Sequence, residues 1–430
     1  MPQVIAALLA LTVTGIVPGT AIAAKKVITV WHPWGGVLDF PKVLSQIAKD
    51  YTAAHPGVEV KMLPVGYGAN GAPEKLLVSI AAGTAPDIVM LPGAAEFADR
   101  GLISPMDEFV AKSKLSSKDL YPVAWTRGRV GGKLYAMPLG MDMNFAMMRN
   151  PKLFAEAGLP DVGPKTITDL SLLMRKLTKR GSNGKITQLA SCIWDVYGNA
   201  NTFGTWGYAF GAEQVDVEKR KMLLSGAKFM KMVNWLTEEA KTTPVKEALA
   251  TYSTIGWIFK AVSMGRIAMA PMSSYEMTTF QKQFPTFSYG LSKLPYLEGE
   301  DPNVAWIGGW SMCMPTNTKN RTEAWDFIRY LSATDEGTTK ISKGLGFWPG
   351  YRYSSFYKTL NDSNAQLFEA ILDGAKNLPA QIPIGSTVGE QLTWAWGQIF
   401  MNGKEPTATM KQASDYCQKQ WDAVLKRRGK

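Results

Sequence analysis

Residues 27–64 read as a strand, a helix and a second strand, and that order constrains the fold more than any other feature of the chain. VITVW (27–31) alternates as a strand does, the segment 41–55 sets Val43, Ile47 and Tyr51 on one helical face, and HPGVEVKMLPV returns as a strand. Strands joined through a helix lie parallel in one sheet, which commits the chain to an α/β architecture. In such sheets the loops at the carboxyl ends of strands carry ligands. The first of these loops, His32, Pro33, Trp34, Gly35 and Gly36, makes Trp34 a candidate binding residue.

The alternation continues with a helix over 73–82, whose core face is Leu76, Leu77 and Ile80, a strand over 87–91, and a helix carrying Phe97. At 430 residues the chain is too long for a single core and divides into two domains or lobes.

The run 130–160, VGGKLYAMPLGMDMNFAMMRNPKLFAEAGLP, reads as a turn, a short strand, a crossing segment and a helix. Gly131 and Gly132 allow the turn, and 133–137 is a strand that Pro138 ends. MDMNFAMM then sets Asp142 and Asn144 in a run otherwise apolar enough to be buried. A buried carboxylate needs donors from the protein or from a ligand. An ordinary strand with one satisfied Asp is the competing reading.

Beyond it, Thr166 to Asp169 is a capping signal for a helix with the stripe Leu170, Leu173, Met174 and Leu177. Residues 191–211 are rich in aromatics, Gly and Asn without a clean period, as in a cleft wall exposing Trp194, Tyr197, Asn201 and Trp206. A helical region over 218–260 precedes the strand RIAMAP (266–271), and Tyr275 and Glu276 follow its carboxyl end. WIGGWSMCMP (306–315) repeats the pattern of glycines, an aromatic and an apolar strand, and reads as a second crossover containing Trp310. The turn-rich loop 343–356, with Trp348 and Arg352, reads as a third. QLTWAWGQIF, with Trp394, and the helix 407–426 close the second lobe.

Several function classes have nothing to rest on. Cys192, Cys313 and Cys417 are widely spaced and make no metal site, and at most one disulfide can form; Cys417 falls at helical spacing with Met410, Ala413 and Trp421 as a core residue. The two histidines, His32 and His55, lack neighbours for a zinc site or a triad. A nucleophile elbow, a phosphate loop and an HExxH motif are all missing. The net charge of +11 is dispersed, apart from Lys426, Arg427, Arg428 and Lys430, and does not mark a nucleic-acid surface. Residues 4–17 are apolar and lead through Pro18 and Gly19 to an A-x-A pattern before Lys25, so 1–24 reads as a cleaved secretory signal peptide. With no Cys near the cleavage site, a soluble, periplasmic protein without a lipid anchor is expected.

Taken in order, AAGTAPDIVML, GLISPMDEF, GGKLYAMPL with RNPKLFAEAGLP, KTITDL, GRIAMAP, IGGWSMCMP and AWDFIRYLSATDEG span the mature chain. In that order and spacing the chain resembles the extracytoplasmic solute-binding proteins, family 1, the maltose-type sugar-binding components of ABC importers. The resemblance implies a two-lobed periplasmic-binding-protein fold, each lobe a mostly parallel sheet flanked by helices, with three hinge crossovers. It puts the first lobe at 25–141 plus 309–338 and the second at 142–308 plus 339–430. It also implies a membrane permease as partner, no cofactor and a monomer. Asp142 matches the position where maltose-type members place a carboxylate on sugar hydroxyls, Tyr275 matches a cleft aromatic, and Trp394 or Trp396 matches another. Leu91 and Ala94 stand where those members carry aromatic and acidic residues, so the pocket differs from a maltodextrin site.

A sugar site needs flat aromatic faces for the ring and planar polar groups for its hydroxyls. Trp34, Trp194, Trp206, Tyr275, Trp310, Trp348 and Trp394 are candidates for the first role. Asp142, Asn144, Asn201, Glu276 and Arg352 are candidates for the second. The expected function is capture of a carbohydrate between the lobes for delivery to an ABC transporter. Two alternatives stay open: a glycerol phosphodiester or other anionic polyol drawn by the net charge and by Arg352, and a glycoside-acting enzyme using Asp142 and Glu276 as a carboxylate pair.

Overall fold

The computed structural model describes residues 25–35, 39–66, 72–379 and 381–427. The signal-peptide reading of 1–24 lies outside the described residues, as do Gly36, Arg428 and Lys430.

Lys26–His32 (β1), Val58–Pro64 (β2), Ile88–Leu91 (β3) and Ile103–Ser104 (β4) contribute to a first sheet, in which β1 runs parallel to both β2 and β3. The helix Phe40–Ala54 connects β1 to β2 and buries Phe40, Leu44, Ile47 and Tyr51 at helical spacing against the sheet. Arg129–Val130 (β5) and Lys133–Leu134 (β6) form a hairpin that feeds Ala136–Asn144 (β7), a strand buried at every position.

Ala146–Arg149 (β8), Lys179–Arg180 (β9) and Ile186–Ser191 (β10) open a second sheet. Val215–Asp216 (β11) and Lys221–Met222 (β12) make a separate two-stranded ribbon. Ile267–Met272 (β13) and Gly290–Lys293 (β14) complete the second sheet in the order β14-β8-β13-β10-β9. Trp306–Pro315 (β15) then returns to the first sheet and pairs with β3, β4 and β7.

Each sheet is more mixed than expected. The parallel pairs β2–β1–β3 lie at one edge of the first sheet and the pair β13–β10 in the middle of the second, and the strands that enter from the other sheet, β15 and β8, run antiparallel to them because they approach from the opposite end. Pro138 does not end its strand. The register of β15 on β7 shifts between Trp310 and Ser311, which face Gly140 and Pro138, so the residue without an N–H falls at the irregularity, where the ladder loses least.

Three segments meet at the junction of the sheets. Only Phe145 separates β7 from β8. β15 pairs along β7 as far as Asn144, and Met141 exchanges two backbone hydrogen bonds with Trp348, at 2.7 and 2.9 Å. The bound expected at 338 falls inside the helix Asp335–Leu345. The helix Asp335–Leu345 still packs on the first sheet's helix Phe40–Ala54, with Ile341 and Leu345 buried. Gly344 permits that approach, since a Cβ there would lie 2.4 Å from the side chain of Val43. The chain reaches the second sheet with the helix Ser363–Asp373, which packs on β14.

Cys192, Cys313 and Cys417 are all buried and unpaired. Burial pushes their thiols up, to about 12, about 12 and about 11.

Candidate functional site

Aromatic rings from both sheets converge beside the crossing strands. Trp34, in the loop after β1, meets Trp310 of β15 edge-on at 5.1 Å between ring centres and Phe40 at 5.5 Å. Phe347, from the third passage, lies 6.0 Å from Trp34 and stacks on Tyr275 at 5.4 Å with the planes 25° apart. Tyr275 comes from the second sheet's side, near the start of the helix Ser274–Gln283 that follows β13. Each side of the junction thus contributes aromatic surface to one cluster.

The carboxylate of Asp142 lies next to it, on the strand that passes between the sheets. Its Oδ1 accepts hydrogen bonds from Ser274 Oγ at 2.9 Å and from the backbone N–H of Tyr275 at 3.0 Å. A carboxylate at a helix N-terminus satisfies unpaired N–H groups and meets the positive end of the helix dipole. Burial pushes Asp142 up to about 6, against the pull of these donors and of the Arg127 guanidinium.

Glu276 closes the same helix start in a capping box, accepting from the Ser273 N–H at 3.1 Å while Ser273 Oγ accepts from the Glu276 N–H at 3.2 Å. Burial, with the charge of Asp142 adding to it, pushes Glu276 up to about 8, so at neutral pH it keeps its proton. The phenol of Tyr197, a residue 56% exposed, is also pushed up, first by desolvation of its hydroxyl and then by the charges of Asp142 and Glu276. Asn144, two residues from Asp142 on the same face of β7, donates its amide to the Asp142 carbonyl at 3.3 Å, and its buried Oδ1 has no partner among the described residues.

A site so placed, between two sheets and beside three connecting passages, fits a protein that takes up a ligand between lobes. The family model described as bacterial extracellular solute-binding protein matches residues 36–338. The chain belongs to the bacterial extracellular solute-binding proteins. A binding protein of Brucella abortus (strain 2308) is 24% identical over 399 residues, covering 89% of each chain. The maltooligosaccharide ABC transporter solute-binding lipoprotein of Streptococcus pneumoniae is 24% identical over 344 residues, 79% of this chain and 76% of that protein. Among solved structures, CpMnBP1 with mannobiose bound matches with a TM-score of 0.77 at 22% identity, over 91% of this chain and 99% of that one, and so shares the two-lobed fold.

Within this solute-binding protein, the residues expected in the site divide sharply. Trp34, Asp142, Asn144, Tyr275, Glu276 and Trp310 come together at the junction, whereas Trp194, Trp206 and Trp348 do not reach a cleft. All three are fully buried. The Trp194 indole donates to the Leu236 carbonyl at 3.0 Å and that of Trp206 to the Ile193 carbonyl at 2.7 Å, which fixes both rings in the second lobe's core. Trp396, the alternative to Trp394, is buried with them and donates to the Trp194 carbonyl at 2.9 Å. Trp348 packs among Phe356, Tyr357 and Phe368. Neighbours in an extended segment point opposite ways, so Phe347 takes the position expected of Trp348.

Arg352 is corrected as well. Its guanidinium lies over the Tyr121 ring at 4.6 Å and its Nε donates to the Leu120 carbonyl at 3.1 Å, so it braces the third passage against the first lobe. Asn201 donates its amide to the Tyr197 carbonyl at 2.8 Å and so supports the start of its own helix. Trp394 is half-buried on the helix Gly385–Trp396, whose Ser386 hydroxyl donates to Glu96 on the opposite lobe.

Sequence reasoning missed Phe40, Phe347 and Arg127. Phe40 and Phe347 carry no signal apart from their aromatic neighbours. The S-x-x-E spacing of Ser273 and Glu276 was a legible sign that Glu276 caps a helix.

Proposed function

We propose that this protein binds a carbohydrate between its lobes, without turning it over, and presents it to the membrane permease of an ABC importer. The observation that carries this reading is the convergence of Trp34 and Trp310 with Tyr275 and Phe347 beside Asp142. Flat aromatic surface from both lobes suits the apolar faces of a sugar ring, and the carboxylate suits its hydroxyls. The named ligands of similar proteins, maltooligosaccharide and mannobiose, support the same class. The anionic-polyol alternative loses the support of Arg352, which is engaged by Tyr121 and Leu120.

In this proposal the first lobe is 25–141 with 309–345 and the second 142–308 with 346–427. A ligand favours the state in which the lobes approach only through contacts with both. The protein acts as a monomer in the periplasm after removal of residues 1–24. The test is a thermal-shift panel of mono- and oligosaccharides, polyols and glycerol phosphates, with product analysis of any hit. Stabilisation by a saccharide that is recovered intact is the expected result. Cleavage of the glycoside, or a shift with phosphorylated ligands alone, would overturn it.

A further inference from the structure

Arg127 ends the short helix Pro122–Arg127 and is buried, yet it carries a charge. Its environment lowers the guanidinium only to about 10, by burial, so it stays protonated at neutral pH. Buried guanidinium groups are costly unless their donors are used; here Nε has no partner among the described residues, and the acceptors of Nη1 and Nη2 come from two separate segments. Nη2 donates to the carbonyl of Pro92, in the loop after β3, and to that of Gly309, on β15, at 2.7 Å. Nη1 reaches Ser311 Oγ at 3.4 Å.

Gly309 and Ser311 flank Trp310, and the register of β15 on β7 shifts at this point. The backbone is unusual there. Gly309 has φ +105°, and a Cβ on it would lie 2.2 Å from the Gly140 carbonyl oxygen. An irregular strand aims its side chains by whatever fixes it, and here a planar fork of donors grips both sides of one residue. The residue so held is the tryptophan that meets Trp34 at 5.1 Å. Separately, the guanidinium charge favours the ionised form of Asp142, which pairs with Gly308 on β15, two residues before Trp310.

We propose that Arg127 is a positioning residue of the ligand site: by clamping Gly309 and Ser311 to the loop at Pro92, it fixes the direction in which Trp310 projects toward Trp34. Its effect on affinity rests on the carbohydrate-binding reading above, but its effect on Trp310 does not.

The test compares Arg127→Met and Arg127→Lys with the full-length protein labelled with 5-fluorotryptophan, the Trp310 19F signal being identified by its loss in Trp310→Phe. In the ligand-free protein both variants are expected to shift or broaden the Trp310 signal while those of Trp194 and Trp206, in the other lobe's core, keep their positions. Lysine has one donor head and does not span the separated acceptors, so Arg127→Lys decides the question should Arg127→Met fail to fold. With any saccharide that stabilises the wild type, folded variants are expected to bind about 10-fold more weakly, the loss that follows from one charge-assisted hydrogen bond. In Arg127→Met the pH dependence of binding also moves to higher pH, because Asp142 loses its cation; a purely structural role would leave that profile in place. An unmoved Trp310 signal in either folded variant overturns the proposal. Absence of any binding saccharide would sink the functional reading, and the fluorine spectra of the ligand-free protein would still decide the role of Arg127.

Discussion

The Oδ1 atom of Asp142 accepts a hydrogen bond from the backbone N–H of Tyr275 at 3.0 Å. A residue on the strand leaving the first sheet thereby closes the start of a helix belonging to the second. One carboxylate serves both the proposed ligand and the joint between the lobes. Asp142→Ala is therefore expected to do two things: remove saccharide stabilisation, and lower the melting temperature of the ligand-free protein by a few degrees, for a lost helix cap of about 1–2 kcal/mol. Calorimetry with and without ligand checks both, and undiminished affinity would take Asp142 out of the site.

Glu276 predicts a pH dependence with a definite sign. Burial holds it at about 8 in the folded protein against an ordinary 4.5, so between those values the folded state binds more protons than the unfolded one. Stability is then greatest at the acid end of this window and falls as pH rises through about 8. Asp142, raised to about 6, adds to the fall in the lower part. Arg127, Tyr197 and Asp195 act on the pair from neighbouring elements, and Tyr275 from the helix of Glu276 itself. Melting curves from pH 5 to pH 9 should decline for the wild type and flatten for Glu276→Gln; equal slopes would contradict the assignment.

Two tryptophan substitutions should separate site from core. Trp310→Ala removes a ring at the junction and is expected to weaken saccharide binding about 10-fold or more with a modest loss of stability. Trp206→Ala empties a fully buried position with a bonded indole, costing about 3–5 kcal/mol, and leaves the affinity of the folded fraction unchanged. Isothermal titration alongside denaturant unfolding reads both quantities, and a reversed pattern would refute the division.

Ser386 and Glu96 touch across the lobes at an exposed rim. A solvent-exposed hydrogen bond contributes about 0.5–1 kcal/mol, so Ser386→Ala is expected to speed ligand release about 2- to 5-fold while leaving the melting temperature of the ligand-free protein in place. Stopped-flow dissociation measures this directly. An unchanged release rate would mean that the contact plays no part in holding the lobes together.

The α/β order was legible because helix and strand periods are local properties: the helix Phe40–Ala54 and the strands around it stand close to where their patterns put them. Crossing strands were legible from glycines set against apolar runs, as at Gly308, Gly309 and Trp310. Which tryptophan faces a ligand was not. Trp194 and Trp206 sit in a Gly- and Asn-rich stretch that looks exposed, but the helix Asn199–Ala209 turns it inward, and indole bonds to Leu236 and Ile193 hold the rings there. Nor does local pattern reveal Arg127, whose partners at Pro92 and Gly309 are brought to it only by the tertiary fold.

The three thiols carry a consequence for how the chain is made. Cys192, Cys313 and Cys417 are buried singly, and each is held overwhelmingly in the unreactive thiol form. No covalent cross-link between them supports the described fold, so packing alone must bring both lobes to their final shape. The folded protein therefore owes no stability to a disulfide, and adding a reductant is expected to leave its melting temperature in place.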